Sequence, residues 1–249
     1  MIYVTGDTHS DYTRFSTENF PEQRGMTKED FVIVCGDFGY WRDDREQAYW
    51  MDWLESKPFT TLFVDGNHEN FDLLYRLPRE TRYGGEVHVV RPSVLHLMRG
   101  QRFTIGGCSV FAMGGAASHD IRDGILEKDD PQLMEKRIRL NRQGKRLYRI
   151  NHVSWWQEEL PSDEEYRTAE ETLDKWGWEA DFIISHCASG NCARQLLGME
   201  YHPDRLTEFF DRLEEKGRFS CWLFGHYHDN RKLDNRHICL YEQIVKLRS

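Results

Sequence analysis

No apolar run in this chain approaches the ~20 residues that a bilayer-crossing helix requires, which excludes a membrane span and a membrane partner. The first residues, Met1-Ile2-Tyr3-Val4, lack the basic region and apolar stretch of a secretory signal, so a cytoplasmic location is expected. There is no Cys-x-x-Cys pair, and Cys187 and Cys192 stand five apart, which argues against a zinc knuckle or redox pair. A disulfide framework is not expected in so long a chain with no export signal. Cys35, Cys187, Cys221 and Cys239 lie in or beside apolar runs and read as reduced, buried hydrophobes. Positive charge is in deficit: the formal net charge is −9. That argues against extended, sequence-independent nucleic-acid binding, which depends on neutralising phosphates. A phosphorylated small molecule or nucleotide stays open as a substrate, because bound divalent cations reverse the sign of a site. Internal repeats, low-complexity tracts and Pro/Ser-rich linkers are also missing, so a single domain over residues 1–249 is expected.

What is present is a set of short β-rich runs, with 39% apolar residues to build a core. Tyr3-Val4-Thr5, Phe31 to Cys35, Leu62-Phe63-Val64, Phe182 to Ser185 and Trp222-Leu223-Phe224 each read as a strand. Helical spacing over Asp43 to Glu55 places Ala48, Met51 or Trp50, and Leu54 on one face. Ser162 with Glu165 forms a capping-box pattern for a helix ending near Gly177. Pro203 is expected in the first turn of another helix, with Leu206, Phe209, Phe210 and Leu213 inward and Gly217 as its stop. Gln101 to Ile105 and Cys108 to Met113 flank Gly106-Gly107, a hairpin signal, and final strands are expected over Ser220 to Phe224 and His237 to Leu247. Alternating strands and helices imply an α/β fold, with antiparallel strands mixed in.

Each β-rich run ends on side chains able to bind metal. Gly6-Asp7-Thr8-His9, Gly36-Asp37, Gly66-Asn67-His68-Glu69, His186 and Gly225-His226-Tyr227-His228 follow the five runs in turn. Residues two apart in extended chain point the same way, so Asp7 with His9, and His226 with His228, could each grip one ion. Asp37 can bridge two cations, while Asn67 and His186 add neutral donors. Seven mixed oxygen and nitrogen donors exceed one tetrahedral zinc site and suit two divalent ions, Mn, Fe or Zn. Such a pair would acidify a bridging water, removing the need for a Ser or Cys nucleophile. His68, next to Asn67, is the natural general acid for the leaving oxygen.

On these residues the chain resembles the calcineurin-like metallophosphoesterases, whose ordered pattern is Asp-x-His, Gly-Asp, Gly-Asn-His-Asp/Glu, His, and Gly-His-x-His. The likeness covers positions 7 to 228. It implies Asp7, His9, Asp37 and His228 on one metal, and Asp37, Asn67, His186 and His226 on the other, with His68 as the acid. It also implies two packed mixed β-sheets flanked by helices. The protein Ser/Thr phosphatases of that superfamily continue Gly-Asp with a second Asp and Arg-Gly, whereas here Phe38-Gly39-Tyr40-Trp41 follows. Ser10 replaces a frequent Gly after Asp-x-His, and Cys187-Ala188-Ser189 replaces a frequent proline-containing turn. Gly114-Gly115-Ala116 and Trp155-Trp156 resemble small bacterial and phage members. The expected activity is a phosphodiesterase on a nucleotide or nucleic-acid-type substrate. A phosphomonoesterase or protein phosphatase is the alternative, and a protein-binding scaffold that retains the fold is the non-catalytic one.

Residues 118–160 are highly charged and poor in β-formers, and read as an insertion or lid. Arg137, Arg139 and Arg142 in its basic stretch are candidate substrate contacts, with a solvated helix as the other reading. Trp155-Trp156 reads as packing, with stacking on a nucleobase as the other reading, and His119-Asp120 as a loop hydrogen bond, with reach into the site from the hairpin end as the other.

Overall fold

The structure, a computed structural model, describes residues 1–247. In chain order the first six strands are β1 (Ile2–Thr5), β2 (Phe31–Cys35), β3 (Thr60–Val64), β4 (Arg79–Arg82), β5 (Gly85–Arg91) and β6 (Val94–Leu97). They are followed by β7 (Gln101–Ile105), β8 (Cys108–Met113), β9 (Gly124–Glu127), β10 (Tyr148–Asn151), β11 (Glu179–Ser185) and β12 (Arg218–Phe224). β13 (Arg231–Lys232), β14 (His237–Cys239) and β15 (Ile244–Leu247) complete the set. The helices are α1 (Arg45–Glu55), α2 (Phe71–Leu74), α3 (Leu133–Arg142), α4 (Asp163–Lys175), α5 (Gly190–Leu197) and α6 (Arg205–Lys216).

Two mixed sheets carry the fold, in the orders β15-β1-β2-β3-β6-β5-β4 and β13-β14-β12-β11-β8-β7. Within them β1, β2, β3 and β6 run parallel, as do β8, β11, β12 and β14. Ile2, Val4, Ile33, Leu62 and Val64 of the first sheet share one core with Val110, Ala112, Ile184 and Leu223 of the second, so the sheets pack face to face. The alternate residues point outward. Tyr3, Val32, Val34 and Phe63 pack under α1, and Ile183, Trp222 and Phe224 pack under α4, α5 and α6. Burial on both faces explains why these strands read as unbroken apolar runs instead of alternating ones. The result is the expected pair of packed mixed sheets flanked by helices.

Several local expectations hold with adjustments. β7 and β8 form the hairpin, and Gly106 (φ 54°) and Gly107 (φ 84°) supply its left-handed turn. In α1 the buried residues are Gln47, Met51 and Leu54, and Ala48 is exposed. Gln47 turns inward because its amide oxygen accepts from Trp41 N at 3.2 Å. The Ser162–Glu165 capping box opens α4. Pro203 lies one residue ahead of the α6 cap instead of inside its first turn. Asp204 caps that helix by accepting from Leu206 N at 2.8 Å and Thr207 N at 2.9 Å. The final strand expected over His237 to Leu247 is two strands in different sheets. β14 extends the second sheet, and β15 runs antiparallel to β1 in the first. Between them the Asn230 side chain accepts from Tyr241 N at 2.9 Å and Gln243 N at 3.2 Å.

Residues 118–160 contain a small parallel pair, β9 and β10, joined through α3. No residue of α3 is buried. All six cysteines are free. No helix among the described residues is long and apolar enough to cross a membrane.

Candidate metal centre

Parallel strands bring their carboxyl ends to one edge, the usual crevice for ligands in α/β sheets. Asp7 and His9 follow β1, Asp37 follows β2, and Asn67 and His68 follow β3. From the second sheet His186 follows β11, and His226 and His228 follow β12. Side-chain donor atoms of Asp7, His9, Asp37 and His228 all lie within 4.8 Å of one another. His228 Nε2 is 3.2 Å from Asp7 Oδ2, and His9 Nε2 is 3.0 Å from His228 Nε2. On the other side His186 Nε2 lies 3.3 Å from Asp37 Oδ1 and 3.2 Å from Asn67 Oδ1. Asp37 thus stands between two donor groups: Oδ2 is 3.8 Å from His9 Nε2, while Oδ1 faces His186. His226 joins the second group, its ring centroid 5.0 Å from that of His186. The structure brings the seven candidate ligands together at one edge.

The backbone is shaped for this convergence. A Cβ on Gly66 would collide with Asp37 Oδ1, and one on Gly225 with Asp7 Oδ1, so glycine is required where each loop passes a carboxylate. His186 Nδ1 lies 2.8 Å from the Cys35 carbonyl; donating there leaves Nε2 as the nitrogen aimed at Asp37. His226 N donates to Asp7 Oδ1 at 3.0 Å and His68 N to Asp37 Oδ1 at 2.8 Å.

Electrostatics point to a cation. Asp7 and Asp37 are buried at 0% and 1% exposure, and no Lys or Arg side chain is paired with either among the described residues. Burial would raise the Asp37 pKa, but the neighbouring imidazole of His186 outweighs it and holds the carboxyl well below the usual range. Burial lowers the His186 pKa, and the charges of Asp37 and Asp7 overcome that, pushing it up to about 10. His226 is held well below its ordinary value, by burial first and by His186 and His119 second. Two buried carboxylates set among imidazole nitrogens and an amide oxygen are a donor set that fits two divalent ions.

Sequence reasoning passed over several supporting residues. Glu69, fully buried, accepts from Phe38 N at 2.6 Å, Gly39 N at 3.2 Å and Tyr40 N at 2.9 Å, fixing the loop after Asp37. Its place in Gly66-Asn67-His68-Glu69 was a signal. Arg14 donates to Thr5 Oγ1 at 2.9 Å and to the carbonyls of Gly6, Asp7 and Tyr241, and no motif marks it. Asp65 holds Arg99 (Nε at 2.8 Å) and lies 2.9 Å from His96 Nε2, a buried network directly behind Gly66. His119, for which a loop hydrogen bond is the favoured reading and reach into the site the other, places Nε2 3.0 Å from His226 Nε2.

His68 is half-buried at the rim of the cluster, its ring centroid 5.6 Å from that of His9. Its carbonyl accepts from the Trp41 indole. Trp156 is buried and donates to Asp72 at 2.9 Å, as packing requires. Arg137, Arg139 and Arg142 stand on α3, and among the described residues no hydrogen bond or ion pair joins them to the cluster.

A family model described as calcineurin-like phosphoesterase matches residues 1–230. Lariat debranching enzyme A of Xenopus laevis is 31% identical over 150 residues, covering 51% of this chain and 26% of that protein. Lariat debranching enzyme of Homo sapiens is 31% identical over 149 residues, covering 51% of this chain and 25% of that protein. The chain thus matches about a quarter of the length of these curated relatives. With the five motifs gathered at one sheet edge and a match spanning nearly its whole length, the chain belongs to the calcineurin-like phosphoesterase family, a family of phosphoester hydrolases that use two divalent metal ions.

Proposed function

We propose that the chain is a two-metal phosphodiesterase acting on a nucleotide or nucleic-acid-type substrate, with His68 as the general acid. The observation that carries this reading is Asp37, whose two carboxylate oxygens face different donor groups. Asp7, His9, Asp37 and His228 would hold one ion, and Asp37, Asn67, His186 and His226 the other. Ions bound there acidify water and neutralise phosphoryl oxygens. The residues of the chain supply the remainder. Asp37 and His186 keep the two sites at fixed spacing, and the Cys35 carbonyl keeps the His186 tautomer correct. His68, half-exposed and held by its own backbone N–H on Asp37, can reach a leaving oxygen outside the cluster and give it a proton. The relatives named as lariat debranching enzymes favour a diester of nucleic-acid type.

Residues 118–160 are proposed as a lid. Asn67 Nδ2 donates to Ser118 Oγ at 3.3 Å, and His152 Nδ1 lies 2.9 Å from Asp72, so both ends of the segment touch the stretch carrying Asn67 and His68.

The test is a pair of measurements on the Mn-reconstituted protein. Elemental analysis should find two ions per chain. Hydrolysis of bis-p-nitrophenyl phosphate should exceed that of p-nitrophenyl phosphate. One ion or none defeats the metal reading, and a faster monoester defeats the diesterase reading.

A further inference from the structure

A second group of metal-type donors lies outside the centre described above. Cys192 on α5, Glu214 on α6 and His237 on β14 each offer one ligand atom within 4.8 Å of the other two. None of the three bonds to a residue of the first cluster among the described residues. Cys192 and His237 are 2% and 4% exposed, and the Glu214 side chain is 24% exposed. Two polar atoms here are buried with no hydrogen-bond partner: His237 Nε2 and Glu214 Oε2. Buried polar atoms are nearly always satisfied, so two orphans in one group of three side chains call for a missing partner.

The orientation of His237 identifies the partner's chemistry. Its Nδ1 lies 2.9 Å from Asp234 Oδ2, and Asp234 Oδ1 accepts from Arg236 N at 2.6 Å and His237 N at 2.8 Å. With Nδ1 donating to that carboxylate, Nε2 is the nitrogen facing Glu214 Oε1, 4.0 Å away and without a hydrogen-bond partner. An imidazole lone pair and a carboxylate oxygen held this close repel each other unless a cation stands between them. Carboxylate, then imidazole, then metal is the arrangement that orients histidine ligands. The Phe219 and Trp222 rings, 5.8 and 5.9 Å from that of His237, wall the site.

We propose that Cys192 Sγ, Glu214 Oε and His237 Nε2 bind a single zinc-like divalent cation that ties α5, α6 and the second sheet together. One thiolate, one imidazole and one carboxylate match the borderline character of Zn²⁺, with water as a fourth ligand on the open Glu214 side. Zinc bonds of about 2.0–2.3 Å set donors roughly 3.3–3.8 Å apart, so closure needs movement of about an ångström, within reach of the Glu214 side chain. Binding replaces the Cys192 S–H bond with an S–metal bond and releases its proton to solvent. Without a cation, burial holds that thiol up at about 12. The three ligands lie far apart in sequence, which is why no cysteine spacing announces the site.

Cobalt separates this site from the first, whose candidate ligands include no sulfur. The chelator-stripped full chain is titrated with Co²⁺ and its near-ultraviolet absorption followed. A thiolate-to-cobalt charge-transfer band saturating at one ion per chain is expected, and Zn²⁺ should displace it. Asp37→Asn should keep the band, and Cys192→Ser should abolish it. Glu214→Gln, which leaves the thiol in place, should weaken cobalt binding at least tenfold, and His237→Gln likewise, so the reading survives even if Cys192→Ser fails to fold. No band in the unaltered chain overturns the proposal. A band retained in Cys192→Ser, or a Glu214→Gln titration that superimposes on the unaltered one, overturns it equally.

Discussion

Four of the seven proposed ligands hold a left-handed backbone: His9 at φ 45°, Asp37 at 45°, His226 at 69° and His228 at 49°. Each such residue costs roughly 1–2 kcal/mol, and strain of this kind persists only where the surroundings over-determine it. Here they do, because His9 N donates to the Asp37 carbonyl at 2.8 Å while His226 N donates to the Asp7 carboxylate. Glu69 is the third restraint, through the three consecutive N–H groups after Asp37. Glu69→Ala should therefore lower the unfolding free energy by about 2–4 kcal/mol, since three hydrogen bonds to one buried carboxyl group are lost together. Glu69→Gln should recover part of that, and urea unfolding measures both. A loss below about 0.5 kcal/mol for the alanine would mean that the loop holds itself. His68 calls for a different experiment, because its side chain is proposed to move a proton. His68→Asn should reduce turnover by roughly 10²–10⁴-fold with metal content intact, and less for esters with good leaving groups. An equal loss across leaving groups would remove His68 from that role.

At the scale of elements, residues 118–160 are pinned at their ends and open in the middle. Ser118 and His119 reach Asn67 and His226, His152 and Trp156 both hold Asp72, and Arg149 pairs with Asp120. α3 between them buries nothing, and Met134 and Ile138 on it are 64% and 44% exposed. An exposed basic helix can meet only a substrate that extends beyond the metal ions, where Arg binds phosphate in bidentate fashion. Replacing Arg137, Arg139 and Arg142 with Gln should raise KM for a long anionic diester more than for p-nitrophenyl phosphate. Equal changes for both substrates would leave α3 a solvated helix. The charge run was readable in the sequence, but the β9–β10 pair around it was not, because Gly124–Glu127 and Tyr148–Asn151 carry no strand pattern stronger than their surroundings. The caps read more easily. Ser162 and Glu165 act locally, whereas Pro203 falls two residues short of the first turn because Asp204 takes the cap.

For the whole molecule, the unbroken apolar runs identified the strands but could not assign them to sheets. A strand buried on both faces looks the same in either layer, and the chain crosses from β14 to β15 without a proline or a glycine to mark it. The proposed ligands could be picked out because each follows such a run. The Arg14 clamp and the Asp65–Arg99 network were not, because they depend on contacts remote in sequence. Glu159 is of the same kind, and it makes stability depend on pH. It is 3% exposed and accepts from Ser118 N at 2.9 Å and Ser118 Oγ at 2.6 Å, joining the end of the 118–160 segment to its start. Burial raises its pKa from 4.5 to about 7, against the opposing hydrogen bonds from Ser118. The folded chain therefore holds a proton that the unfolded chain has released between those two values. Stability contributed by this group is present below pH 4.5 and is lost as the pH rises toward 7. At ~1.4 kcal/mol per unit the full loss is on the order of 3–4 kcal/mol, of which about 2–3 kcal/mol falls between pH 5 and pH 8. Glu159→Gln removes the titration while keeping an acceptor for Ser118. Comparing urea unfolding at pH 5 and pH 8, with both proteins in the same chelator, cancels the groups they share. The decline from pH 5 to pH 8 should be smaller in the variant by about that amount, and parallel declines would show that Glu159 is ionised in the folded chain throughout.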